Sequence, residues 1–213
     1  MMIPFKIGAE ASLYRSDWYG REAILKVRMP KAYRHPSLDY RLRTSRTIRE
    51  AENLHEAKKA AVPTPLVYFV DMDNATLVME YVQGPRVKEI LDKLNHQDRA
   101  KLCEGIGMHI GQLHRASLIH GDLTTSNMIR LEEDKVVLID FGLSFHSHNE
   151  EDMGVDLHLM KRVLDSTHHF HSQEAMRTIL SGYEKIVGRQ SALRVLKKVM
   201  EIERRGRYSG EKL

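Results

Sequence analysis

Cysteine, tryptophan and long apolar runs are scarce in this sequence. Cys103 is the only cysteine among 213 residues, which excludes an intramolecular disulfide. No apolar run approaches the roughly 20 residues that a membrane-spanning helix requires. The N-terminal letters MMIPFKIGAEAS have no basic segment followed by a long apolar one, so we expect no signal peptide. These absences predict a cytoplasmic protein without a membrane partner, in which Cys103 is a buried structural thiol.

The net charge of +4 is modest, but the basic residues are unevenly distributed. Between Lys26 and Arg49 there are eight Lys or Arg and a single acid, Asp39. Residues 204–207 contain three arginines. Such runs indicate either a solvated basic face or contact with the phosphates of a nucleotide or nucleic acid, and composition leaves both interpretations open.

Hydrophobic periodicity divides the chain into a strand-rich first part and a helical second part. ASLYRSDWYGREAILKVR predicts a hairpin, Thr44 to Lys59 a helix, and PLVYFVD and ATLVMEYV two further strands. Beyond Gly84 the short strand VVLID is surrounded by segments with helical spacing, namely Asp98–Ala116, Val155–Leu164, Glu174–Val187 and Ser191–Glu203. The pattern predicts an α+β fold with an N-terminal lobe over residues 1–82, a C-terminal lobe over 83–203 and a basic tail over 204–213.

The segment LIHGDLTTSNMIR, with DFG ten residues later, carries the candidate chemistry. Asp122 lies in a predicted loop, where its carboxylate could be a general base or a turn residue. Asp140 follows a buried strand, and its carboxylate together with the Asn127 amide would make a hard-oxygen site of the kind that Mg²⁺ prefers. Two metal ligands and a separate carboxylate to orient an attacking hydroxyl are the groups that phosphoryl transfer requires.

HGDLTTSN together with IDFG resembles the catalytic and metal-binding loops of the protein-kinase-like superfamily. The resemblance implies a minimal bilobal kinase-like fold that binds ATP and Mg²⁺, with Asp122 as the catalytic residue and with Asn127 and Asp140 as metal ligands. It also implies a phosphate-binding lysine on the third strand, which Lys26 of AILKVR supplies. Glu50 is the best candidate to hold that lysine.

By the same resemblance, LVMEYVQG is the hinge between the lobes, and Glu52 is the fallback for Glu50. Met79 would be the gatekeeper, and Glu80 and Val82 would offer backbone groups to adenine. The other nucleotide-binding candidates are Gly8, Ala9, Glu10 and Ala11 in the phosphate-covering loop, and Ile24, Ile129 and Ile139 around the base and metal. For these isoleucines ordinary core packing is an equally good interpretation.

The sequence departs from ordinary protein kinases in several places. IGAEAS keeps one of the three glycines usual in the phosphate-covering loop, and Thr124 stands where those kinases carry lysine. Only thirteen residues separate Gly142 from Asp156, and Ala-Pro-Glu is absent, so a normal activation loop has no room. Asp156 resembles the buried aspartate that braces the catalytic loop, and a surface helix N-cap is the alternative.

With these departures, the sequence resembles the small atypical kinase of the KEOPS complex, also called the PRPK family. The resemblance covers nearly the whole chain, and KAYRHPSLDYRLRTSRTIREA is its most specific part. It implies an archaeal-type member with weak serine autophosphorylation, and ATP hydrolysis in a complex that installs threonylcarbamoyl-adenosine in tRNA. The implied partners are the threonylcarbamoyl transferase subunit on the C-lobe, a small helper subunit on the N-lobe, and tRNA through the basic tail.

Two other functions remain open from the sequence. A small-molecule kinase of the aminoglycoside or choline type shares HGD…N, although such chains usually have inserted helices for which there is no room here. The second alternative is a non-catalytic scaffold protein with a kinase fold. The neighbouring His168, His169 and His171 are interpreted as structural rather than metal-binding, because adjacent histidines point in different directions and no cysteine accompanies them.

Overall fold

A five-stranded antiparallel sheet forms the first part of the computed structural model, which describes residues 6–8, 10–131 and 135–209. Its strands are β1 (Lys6–Ile7), β2 (Ser12–Trp18), β3 (Arg21–Val27), β4 (Val67–Asp71) and β5 (Thr76–Glu80), in the spatial order β1-β2-β3-β5-β4. The turn between β2 and β3 has Tyr19 and Gly20 at positive φ, as a two-residue hairpin turn requires. The predicted hairpin and the two later strands are confirmed.

Helix α1 (Pro36–Lys59) packs against this sheet and begins eight residues before the predicted start at Thr44. Pro36 occupies the first turn, where its missing N–H costs nothing. The buried face of α1 carries Thr47, Glu50 and Asn53 beside the apolar residues, so apolar spacing alone underestimated the length of the helix.

The second part is helical and confirms the predicted α+β class, with a strand-rich N-lobe and a helical C-lobe. Its helices are α2 (Val87–Ile90), α3 (His96–Arg115), α4 (Glu150–Thr167), α5 (Ser172–Val187) and α6 (Arg189–Ser209). Two small ladders pair β6 (Leu118–Ile119) with β9 (Phe145–His146), and β7 (Met128–Arg130) with β8 (Val136–Leu138). In the described ranges no helix combines the length and apolar character that crossing a membrane demands.

The predicted C-terminal tail begins inside a helix. The last helix was predicted to end at Glu203, but α6 continues through Ser209, so residues 204–209 are helical. Arg205 pairs with Glu151 of α4 at 2.7 Å. Residues 210–213 lie outside the described part of the chain, and the boundaries at 82 and 203 stay predictions.

Close packing of α3 on α5 anchors the helical part, and it relies on glycine. A Cβ atom on Gly182 would lie 2.1 Å from the carbonyl oxygen of Glu104, and one on Gly107 would lie 1.9 Å from that of Ile179. Both positions therefore exclude any side chain at the observed helix separation. Because α3 leads directly into β6 and the HGD loop, this packing also determines where the candidate site lies.

Candidate active site

Four charged side chains form one network across the cleft. Lys26 and Arg28 are two residues apart on and just beyond β3, so both side chains leave the same face of the sheet. Lys26 Nζ lies 2.6 Å from Glu50 Oε1 and 2.7 Å from Asp140 Oδ1. Arg28 Nη2 lies 2.6 Å from the other carboxylate oxygen, Glu50 Oε2. Glu50 is fully buried between the two cations.

The ion pair between Lys26 and Asp140 favours the charged form of both side chains. Burial lowers the pKa of Lys26, but attraction to Glu50 and Asp140 outweighs it and the pKa is raised overall. Burial raises the pKa of Asp140, and attraction to Lys26 outweighs it, so that pKa is lowered overall. The Lys26 ammonium is thus paired with two carboxylates, so a phosphate could bind it only in competition with Asp140.

The structure also distinguishes between residues that the sequence could not separate. Glu50 faces Lys26, whereas Glu52 lies exposed on the other side of α1. Arg28 was not among the predicted site residues. The available signal was the alternation of β3, which puts a second basic residue on the same face as Lys26.

The candidate catalytic loop is held by hydrogen bonds to side chains. Asn127 Nδ2 donates to Asp122 Oδ2 at 2.7 Å and to the Asp122 carbonyl at 3.0 Å. The Asp156 carboxylate accepts from the backbone N–H groups of His120 at 2.7 Å and of Gly121 at 2.9 Å. Asp156 is buried inside α4 rather than capping it, so the surface N-cap alternative is wrong.

Unusual backbone conformations occur at two positions of this site. Asp140 has φ +65°, the left-handed region that L-residues with ordinary side chains avoid. Gly121 has φ +76°, and a Cβ there would lie 2.5 Å from the Leu143 carbonyl oxygen. Glycine adopts a positive φ without strain, whereas the strain at Asp140 is typical of functional positions held by the surrounding structure. Here it aims Asp140 at Lys26.

Of the three neighbouring histidines, the structure buries His168. Its Nδ1 lies 2.8 Å from Asp92 Oδ2, and its Nε2 lies 3.1 Å from Thr125 Oγ1. His168 therefore links the end of α4 to the short 3₁₀ turn that carries Asn127. Among the described residues no group of three His, Cys, Asp or Glu side chains could hold a metal ion.

A cavity of about 310 Å³ opens in front of the network. The predicted residues that line it are Gly8, Glu10, Ala11, Lys26, Asp122 and Asp140; the other lining residues are Lys6, Leu13, Arg28, Gly142 and Leu143. The structure thus brings the phosphate-side candidates together in one cleft.

The candidates on the adenine side do not line this cavity. They are Ile24, Met79, Glu80, Val82, Ile129 and Ile139; Ala9 lies outside the described residues. Ile24 and Ile129 are buried, as the core-packing alternative expects. The Glu80 N–H donates to the Leu66 carbonyl at 2.8 Å and is therefore not available to a base.

The residues at the inner end of the cleft fit a magnesium ion. Asn127 uses its amide nitrogen in the bonds to Asp122, which leaves its amide oxygen for a ligand. The Asp140 carboxylate binds Lys26 through one oxygen, and its side chain is 48% exposed. Mg²⁺ is usually held by one or two such protein oxygens, with water and phosphate completing its shell.

Comparison of the sequence with known proteins shows the family to which this chain is similar. A family profile described as the RIO domain matches residues 26–179. The chain is 46% identical over 209 residues to the KEOPS complex subunit Bud32 of Pyrococcus abyssi, covering 95% of this chain and 94% of that protein. It is 39% identical over 209 residues to the EKC/KEOPS complex subunit Tp53rkb of Mus musculus, covering 94% of this chain and 84% of the relative.

Some relatives are longer than this chain. A probable bifunctional tRNA threonylcarbamoyladenosine biosynthesis protein of Methanothermobacter thermautotrophicus is 45% identical over 202 residues. That match covers 95% of this chain but 36% of the relative. The chain therefore corresponds to about a third of the bifunctional protein.

Proposed function

The chain belongs to the RIO-domain family that includes the KEOPS subunits Bud32, and on that premise we propose that it is an ATP- and Mg²⁺-dependent kinase-like ATPase. The observation that carries the proposal is the convergence of Lys26, Asp122 and Asp140 on one cleft, with Glu50 and Arg28 behind Lys26. The names of the relatives support a role in KEOPS and in threonylcarbamoyl-adenosine modification of tRNA.

Each residue of the cleft has a defined part in this proposal. Lys26, held by Glu50, binds the α- and β-phosphates. Asn127 and Asp140 would hold Mg²⁺, which neutralises phosphate charge when bound. Asp122 orients water, or a serine hydroxyl in autophosphorylation, for attack on the γ-phosphate and accepts its proton. Much of the rate acceleration comes from positioning and charge stabilisation.

The ion pair of Asp140 with Lys26 also affects how nucleotide and metal bind in the cleft. An incoming phosphate competes with the Asp140 carboxylate for the same ammonium group. If Asp140 held a metal ion, its carboxylate would no longer occupy Lys26, and the ammonium group would be available to the phosphates. Nucleotide and metal should therefore bind cooperatively, since each removes a competitor of the other.

The names of the relatives support partnership with other KEOPS subunits, and the specific arrangement is part of the proposal. The proposed partners are a threonylcarbamoyl transferase subunit on the C-lobe, a small helper subunit on the N-lobe, and tRNA, partly through the basic residues at the end of α6. Contact between those residues and tRNA would weaken as salt increases. A cytoplasmic location and weak serine autophosphorylation belong to the same proposal.

The test is release of γ-phosphate from labelled ATP by the purified chain, with and without the transferase partner and tRNA. Asp122→Ala should reduce release at least ~100-fold, as loss of a catalytic base does. Asp73→Ala, in the exposed β4–β5 turn, is the matched control. Label that stays mainly on serine, with or without partners, would make protein phosphorylation the main activity. Equal release by wild type and Asp122→Ala would favour a non-catalytic scaffold.

A further inference from the structure

A cluster of basic side chains lies next to the phosphate end of the cleft, and its purpose is not explained by the proposed mechanism. These side chains come from the end of β3, the following loop and the first half of α1. We call the cluster the arginine pocket; it comprises Arg28, Lys31, Arg34, Arg43 and Arg46, with Met29 and Glu10 completing its wall. It accounts for most of the basic run between Lys26 and Arg49.

The arginine pocket already contains one anion, the carboxylate of Glu10. Glu10 belongs to the phosphate-covering loop and forms an ion pair with Arg46. The hydrogen bond from Arg46, and attraction to Arg46, Arg28 and Arg34, hold the pKa of Glu10 below its ordinary value, although desolvation acts in the opposite direction. Three arginines thus converge on one carboxylate.

The arginine pocket has little free space while the Glu10 side chain lies at its wall. The remaining space is about 10 Å³, at the lower limit of what one water molecule needs. An external anion can enter only if the Glu10 side chain moves out. Glu10 is exposed and lies on a loop, whereas Arg34 and Arg43 are held in place by Asp39, at 3.6 and 2.7 Å. The Glu10 carboxylate is therefore free to move, whereas Arg34 and Arg43 are held in position.

Arg28 connects the arginine pocket to the cleft. Its side chain is 4% exposed and lines both cavities. Its two terminal nitrogens bind Glu50 and Thr47, while its Nε is buried without a hydrogen-bond partner within the described ranges. A buried donor without an acceptor is costly and marks a place where a ligand oxygen would be stabilised.

We propose that the arginine pocket is a phosphate subsite, whose arginines bind outer oxygens of the terminal phosphate of a nucleoside triphosphate held in the adjoining cleft, after Glu10 has released Arg46. A terminal phosphate carries more charge and more acceptor oxygens than the carboxylate it replaces, and arginine binds phosphate in a fork geometry. The inference rests on the proposed function, because it requires a nucleotide in the adjoining cleft.

The subsite gives the cleft a way to distinguish ATP from ADP. ADP reaches Lys26 with its two phosphates but has no group for the arginine pocket, so Glu10 keeps its place on Arg46. A triphosphate gains the arginine contacts and displaces Glu10, which moves the phosphate-covering loop. The proposal therefore predicts a triphosphate preference that depends on Arg46 and is opposed by Glu10.

The experiment compares the affinities of ADP and a β,γ-imido triphosphate for the full chain by calorimetry with Mg²⁺. Arg46→Gln should weaken the triphosphate about tenfold or more, as expected for a lost charge-assisted hydrogen bond, and leave ADP within about twofold. Glu10→Gln should strengthen the triphosphate alone. Arg49→Gln, one turn further along α1 on its exposed side, is the control and should change neither.

A titration with inorganic phosphate at saturating ADP tests whether the subsite also takes a free phosphate. Phosphate binding that Arg46→Gln abolishes would extend the subsite to the released product. Equal losses of ADP and triphosphate affinity in Arg46→Gln, or no loss at all, would overturn the inference. If wild type binds neither nucleotide, the proposed function itself fails, so the two failures are distinguishable.

Discussion

The carboxylate of Asp156 accepts a hydrogen bond from the backbone N–H of His120 at 2.7 Å, and so ties helix α4 to the loop that carries Asp122. The other oxygen accepts from the next N–H, that of Gly121. Without Asp156 these N–H groups would lose their acceptor, His120 at a buried position and Gly121 at a partly buried one.

Replacing Asp156 by asparagine should therefore loosen the loop. The amide keeps one acceptor oxygen but turns a donor toward the second N–H. We expect the free energy of unfolding to fall by about 1–3 kcal/mol, the cost of an unsatisfied buried polar group, and ATP turnover to fall with it. Asp165→Asn, an exposed position on the same helix, should stay within about 0.5 kcal/mol of wild type in urea denaturation. Equal stability of the two variants would show that the hydrogen bonds to Asp156 contribute nothing to the free energy of unfolding.

The glycine contact between α3 and α5 makes a second prediction. Gly182→Ala should destabilise the protein by at least about 2 kcal/mol, because its Cβ would overlap the Glu104 carbonyl. Gly105→Ala, in the middle of α3, meets nothing within 4 Å and should stabilise by about 0.5–1 kcal/mol through helix propensity. Thermal or urea unfolding of both variants measures the difference. Similar effects of the same sign would contradict the close packing.

Acidification should destabilise the fold through a buried histidine. Burial lowers the pKa of His120 below its ordinary 6.5, against the attraction of Asp156 and Asp122. As pH falls below about 6.5, His120 becomes protonated in the unfolded chain but stays neutral in the folded protein. Its contribution to the free energy of unfolding is therefore complete above that pH and decreases below it. Urea midpoints between pH 7.5 and 5.5 should fall accordingly, above the range in which carboxylates titrate.

Burial also lowers the pKa of His109, on α3, so this residue contributes in the same direction. His109→Gln should retain a bond to Gln112 and make the pH dependence shallower. His169→Gln, at an exposed position, is the control. A pH dependence that His109→Gln leaves unchanged would rule out this contribution.

The left-handed backbone of Asp140 suggests a clean test of the metal proposal. Asparagine tolerates that region better than other residues, so Asp140→Asn should fold normally. The substitution removes the charge that a metal ligand needs and also removes a competitor for Lys26. Metal-free binding of a triphosphate analogue should be at least as tight as in wild type, the enhancement by Mg²⁺ should vanish, and turnover should fall at least ~100-fold. A full Mg²⁺ enhancement in this variant would exclude Asp140 as a ligand.

The predictions from sequence succeeded where the information is local. The hairpin, the later strands and the helical second part follow from periodicity and turn residues, which are properties of short segments. Helix ends were less accurate, as at Pro36, because the buried face of α1 is partly polar and the apolar pattern starts late. Candidate residues in HGDLTTSN and IDFG were identified because their spacing along the chain is itself the signal.

The sequence by itself determined which residues could carry phosphate chemistry, since Lys26, Asp122, Asn127 and Asp140 stand in recognisable local patterns. Only the tertiary structure decided their neighbours. Lys26 meets Asp140 across 114 residues of chain, and Glu10 meets Arg46 across 36. Such contacts depend on how α1 is rotated against the sheet and how closely α3 approaches α5, which is a matter of packing between distant segments that no local pattern encodes.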